Sequence, residues 1–126
     1  MIPSADEILA GYPFAARRWK LVGEPSGLAI LAAVEDATTL AASDPYSEPA
    51  ALFFAFARRP RAFPGAWRTM PALLALNQAR SIGCRLRTDS RELNTLLVRI
   101  ASRELGFDEV QAFFAERLEG APEREP

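Results

Sequence analysis

Residues 50–57, Ala50-Ala51-Leu52-Phe53-Phe54-Ala55-Phe56-Ala57, contain no polar side chain. A helix without a polar face is buried on every side. A second run, Met70-Pro71-Ala72-Leu73-Leu74-Ala75-Leu76, has the same character. The two segments are therefore expected to be central helices, packed together, with 50–57 and 72–76 the most buried parts of the chain. Composition points the same way. Ala and Leu number 38 of 126 residues, whereas Val, Ile and Thr together number 14. Ala and Leu favour helices, while β-branched residues favour strands. The fold class read from this is all-α, a single domain of about six helices, since 126 residues make one small domain.

Outward from these runs, the punctuation places the remaining helices. Ser4 with Glu7 forms a capping-box pair, opening a first helix expected to end near Gly11. A loop with Pro13, Gly23, Pro25 and Gly27 follows, so residues 1–24 are read as an N-terminal helix and loop. Ser26 caps a second helix to about Ala42. Asp44-Pro45 leads into a third helix, starting at Tyr46 or Pro49 and ending at Arg59. Pro60, Pro64 and Gly65 make a loop before a fourth helix over 70–82, stopped by Gly83. Residues 84–88 are short and extended. Asp89 with Glu92 opens a fifth helix to about Leu105, with Gly106 as its stop. Asp108 with Gln111 opens a sixth, ending near Gly120. Residues 25–120 form the main helical body and 121–126 a frayed tail.

Composition also removes whole classes of chemistry. There is no His, which excludes Ser-His-Asp triads, Cys-His dyads, His-ligated zinc and histidine general bases. A lone Cys84 makes neither an internal disulfide nor a metal site. The net charge of −1 argues against a generic nucleic-acid coat. No run reaches the roughly 18 apolar residues of a membrane span, and no targeting segment is visible. The expected compartment is the cytoplasm. A usage of 23 Ala, with 14 Arg against one Lys, suggests a bacterial source.

Charge is nonetheless unevenly distributed. From Arg58 to Thr88 there are seven Arg (58, 59, 61, 68, 80, 85 and 87) and no Asp or Glu. The plain reading is a solvated face. The functional reading is an anion site, because helix starts offer N–H groups and Arg adds a bidentate fork. Gly65, Arg68 and Thr69 are the candidate phosphate contacts. Arg58, Arg59, Arg61 and Trp67 are candidate partner contacts, Trp and Arg being common interface anchors. Seven Asp/Glu against two Arg from Glu104 onward make the C-terminal stretch acidic. In a second copy it is able to meet this basic loop.

The layout of residues 25–118 resembles the Fic/Doc proteins, in particular the small death-on-curing toxins. Their motif, His-Pro-Phe-x-Asp-Gly-Asn-Lys-Arg-Thr, follows an Ala/Leu-rich helix and opens another. Residues 50–69 align with it without a gap, retaining Gly65, Arg68 and Thr69. The resemblance implies a Fic/Doc-like helical bundle and, in an intact member, transfer of a phosphoryl or nucleotidyl group from a nucleotide to a protein hydroxyl.

The departures bear on that activity. The histidine that serves as the family's general base falls on Pro60, which has no acid–base group. The acidic residue that helps hold the metal falls on Pro64, the Asn on Ala66, the Lys on Trp67 and the pocket phenylalanine on Ala62, with Phe63 beside it. A one-residue gap would put Arg61 at the base position, and Arg stays protonated. A general base is worth about 10²–10⁴-fold. Pro71 points to Thr69 as N-cap of a helix starting later than in the family. The family's inhibitory helix is absent too, since Glu119-Gly120 is preceded by Ala115 at its first position.

No catalytic residue and no metal ligand is therefore assigned. The expected function is a degenerate, inactive Doc-like scaffold needing no cofactor, acting through the basic loop 58–69. Its partner would be a protein, such as an antitoxin-like segment or target, or a second copy. One alternative is a divergent Fic/Doc transferase using ATP and Mg²⁺ with a replacement base, for which Glu48 and Glu92 are the carboxylates to consider. Another is an unrelated helical protein-interaction domain.

Overall fold

A computed structural model describes residues 1–122. Among them are six α-helices and one two-residue strand pair, so the fold is all-α. The helices are α1 (Ala5–Trp19), α2 (Gly27–Ala41), α3 (Glu48–Ala57), α4 (Met70–Ser81), α5 (Ser90–Ala101) and α6 (Phe107–Arg117). Short 3-10 turns at Pro45–Ser47 and Pro60–Ala62 flank α3. Strand β1 (Arg85–Leu86) pairs antiparallel with β2 (Leu118–Glu119), matching Arg85 to Glu119 and Leu86 to Leu118. Residues 123–126 of the expected tail lie outside the described residues.

Helix α3 is the axis of the molecule. Every residue from Glu48 to Ala57 is buried. One side of it (Ala51, Leu52, Ala55 and Phe56) packs with α1 and α2, around Ile30, Ala33 and Phe63. The other side (Ala50, Phe53, Phe54 and Ala57) packs with α4, α5 and α6, around Leu97, Ile100 and Phe114. The absence of a polar face is thus used fully, because two apolar clusters need two apolar faces.

The expectation for 72–76 is corrected. Only Ala75 of these residues is buried, and Ala72, Leu73, Leu74 and Leu76 remain partly open. One side of α4 faces α3, whereas the side toward α1 is incompletely covered.

Helix starts follow the sequence closely. Ser4 Oγ accepts from the Glu7 N–H at 3.1 Å and Glu7 Oε1 from the Ser4 N–H at 3.3 Å. Ser26 Oγ accepts from the Ala29 N–H, and Asp89 Oδ1 from the Glu92 N–H. Helix ends follow it less well. The first helix passes Gly11 and Pro13 and ends at Trp19. Pro13 lies on the exposed side, where water can satisfy the carbonyl it leaves unpaired. The helix stops at Lys20 (φ 54°), and the Leu21 N–H closes back on the Ala16 carbonyl at 2.9 Å. The fifth helix ends at Ala101 instead of Leu105, because Arg103 (φ 62°) turns the chain and brings Leu105 into the core. Gly106 is then the N-cap of α6, with Glu109 Oε1 accepting from its N–H at 3.2 Å, so the sixth helix opens earlier than Asp108. It ends at Arg117, since residues 118–119 leave the helix to pair with β1.

Candidate functional site

Helix α3 runs out into the basic turn. The Arg58 N–H still bonds the Phe54 carbonyl, and its guanidinium lies over the Phe54 ring, 5.3 Å from the centroid. Phe54 is itself held edge-on by Phe107. Arg59 differs from its neighbours. It is ion-paired to Asp36 of α2, and its Nε is buried without a hydrogen-bond partner. Arg59 is therefore engaged in a partly exposed ion pair that ties the turn to α2. Pro60, Arg61 and Pro64 are exposed, whereas Ala62 and Phe63 are buried. Phe63 stacks on Tyr12 at 5.4 Å and meets Phe56 at 5.7 Å. It serves the core, 2% exposed within the cluster of α1 and α2.

Gly65 is required by close approach. A Cβ there would stand 1.9 Å from the Val22 carbonyl oxygen. The loop between α1 and α2 thus lies directly against Gly65, steadied by the Tyr12 hydroxyl donating to the Gly23 carbonyl at 3.0 Å. The chain then turns before α4. The Ala66 N–H bonds the Phe63 carbonyl, and the Thr69 and Met70 N–H groups bond the Ala66 carbonyl. Thr69 stands at the expected N-cap position of α4, but with helical backbone angles and no side-chain cap bond. Its amide is engaged within the turn, and Pro71 has no N–H to offer. Trp67 is half-buried against the second apolar cluster, and the Arg68 guanidinium covers its ring at 4.8 Å. Arg68 is exposed.

The seven arginines do not form one patch. Arg58, Arg59, Arg61 and Arg68 gather where α3 ends and α4 begins. Arg80, Arg85 and Arg87 lie at or beyond the other end of α4, which spans about 18 Å at 1.5 Å per residue. Arg87 is paired there with Glu119 at 3.5 Å.

The two carboxylates considered as replacement bases are both engaged. Glu48 is buried at the start of α3, about 15 Å from the basic turn by the same rise. Its Oε1 accepts from the Met1 ammonium at 3.0 Å and from Gln78 Nε2 at 2.9 Å. Glu92 accepts from the Thr88 hydroxyl at 3.1 Å and is ion-paired to Arg117 at 3.2 Å. Among the described residues no group of three or more Cys, Asp or Glu is placed to hold a metal ion. No helix among the described residues is long and apolar enough to cross a membrane.

The sequence reading missed the Glu48–Gln78–Met1 cluster. Its signal was a carboxylate set immediately before an all-apolar helix, where it must find partners or remain an uncompensated buried charge. Compared with known proteins, the chain matches no family model and no curated protein.

Proposed function

We propose that the chain is a non-catalytic, Doc-like binding scaffold of the bacterial cytoplasm, whose working surface is the turn from Arg58 to Arg68. Arg58, Arg61 and Arg68 are exposed and have no carboxylate partner among the described residues. The observation that carries the reading is the pairing of Arg58 and Arg68 with the rings of Phe54 and Trp67. Each guanidinium is held on an aromatic face while its N–H donors stay open to solvent, an arrangement suited to carboxylates of a protein partner. Arg59 sets the surface in place through Asp36. An acidic segment, antitoxin-like in character, is the partner chemistry that fits. Catalysis is disfavoured because Pro60 has no proton to exchange and both alternative carboxylates are engaged away from the turn.

Calorimetric titration with a Glu/Asp-rich peptide carrying one aromatic residue tests this. Binding should weaken as salt shortens the screening length below about 10 Å, and the triple variant Arg58→Glu, Arg61→Glu, Arg68→Glu should lose it. A radiolabelled ATP–Mg²⁺ transfer assay should give no labelled protein. Label transfer that vanishes on changing a single carboxylate would replace the scaffold reading with a transferase.

A further inference from the structure

Helices α1 and α4 enclose a half-open cleft of about 910 Å³. Glu7, Gly11, Phe14 and Arg18 form its α1 wall at helical spacing, and Leu73, Asn77 and Arg80 belong to its α4 wall. Phe14 is 70% and Trp19 51% exposed, an unusual state for large aromatic residues. This is also the side on which the apolar α4 is left incompletely covered. Arg18 and Arg80 are exposed and have no carboxylate partner among the described residues, while Glu7 is engaged by the Ser4 N–H. The cleft therefore presents apolar walls with two cations that lack a carboxylate partner, Arg18 lying over the Trp19 ring at 5.5 Å.

The chain carries a surface of matching chemistry elsewhere. On the outer face of α2, Leu28 is 83% and Leu31 46% exposed, and Glu35 follows one turn later. The spacing i, i+3, i+7 is that of a helix presenting one ridge to a groove. Glu35, and Glu24 just before the helix, are exposed and have no cationic partner among the described residues. This ridge cannot reach the cleft of its own chain. Leu9, on the side of α1 away from the cleft wall, is the residue that faces Gly27 of α2.

We propose that the α1–α4 cleft receives the Leu28–Leu31–Glu35 ridge of a second copy, with Arg18 and Arg80 opposite Glu35 and Glu24. The contact joins two different surfaces, so it is head-to-tail, and it adds copies into a ring or an open filament. It is separate from the Arg58–Arg68 surface and stands without it. A ridge of two leucines buries little area, so the association is weak and concentration-dependent.

Sedimentation velocity of the full chain, from about 10 µM to about 1 mM, tests this. The weight-average sedimentation coefficient should rise steadily with concentration. Glu35→Arg and the pair Arg18→Glu, Arg80→Glu lie on exposed positions, and circular dichroism should show both variants folded. Each variant alone should lose association by tenfold or more, because like charges then meet. An equimolar mixture should recover it, since each copy's ridge again opposes a cleft of opposite charge. A wild-type chain that stays monomeric throughout overturns the proposal and leaves the cleft for another protein. Association that survives both variants, or a mixture that stays monomeric, overturns it as well.

Discussion

Gly65 shows how much a single missing methyl group can matter. Its backbone angle is not left-handed, so any residue could adopt the conformation. The constraint is space, because the Val22 carbonyl already occupies the position of a Cβ. Gly65→Ala should therefore push the α1–α2 loop off the basic turn. The expected cost is about 1–3 kcal/mol, the usual range for overpacking, read as a lower urea midpoint at unchanged slope. Glu48 is the second residue of this kind. Glu48→Ala removes the acceptor of a buried amide, Gln78 Nε2, which keeps only the Met1 carbonyl at 2.9 Å. A loss of about 1–3 kcal/mol is expected for a buried donor short of its partner, measured by chemical denaturation. The Gly65 constraint was not legible beforehand, and the one on Glu48 was signalled only by a carboxylate leading an all-apolar helix. Glycine in a Pro-Gly pair reads as a turn, and a glutamate at a helix start reads as a favourable dipole contact.

At the scale of the element, the starts capped by Ser4, Ser26 and Asp89 were legible, as were the ends of α2 near Ala42 and of α4 at Gly83 (φ 76°), but the ends of α1, α5 and α6 were not. Ser4, Ser26 and Asp89 cap through their own side chains onto an amide three residues on, a contact written in the local sequence. Ends that depend on a left-handed residue should carry glycine, as α4 does at Gly83, but Lys20, Ala42, Ser43 and Arg103 take that conformation elsewhere. Two opposite substitutions should consequently both stabilise. Gly11 lies inside α1, and a Cβ there would meet nothing within 4 Å. Gly11→Ala should raise stability by about 0.5–1 kcal/mol by limiting the unfolded chain. Arg103→Gly should add about 0.5–1 kcal/mol by relieving the left-handed turn. Thermal melts of the two single variants and of the double variant check both, and the gains should add because the sites share no partner.

Across the whole molecule, α3 decides cooperativity. Phe56 belongs to the cluster with α1 and α2, while Phe53 belongs to the cluster with α4, α5 and α6. A ten-residue helix shared by both leaves neither half a complete core of its own. Phe53→Ala and Phe56→Ala should each cost about 3–5 kcal/mol. Far-UV dichroism and tryptophan fluorescence should still report one common transition in each variant. A variant whose two probes separate would show that one half folds without the other.

The sequence by itself determined the helical class, the central place of residues 50–57, the capped starts of three helices and the absence of any histidine chemistry. These are properties of composition, periodicity and contacts three residues apart, so they need no knowledge of which surfaces meet. Only the tertiary structure decided that the first helix runs on through Gly11 and Pro13, that the seven arginines divide between the two ends of α4, that Arg59 is spent on Asp36, and that α4 keeps an open side toward α1. Each of those outcomes depends on which segment, distant in the chain, comes to lie against the residue. Local patterning carries no record of that encounter.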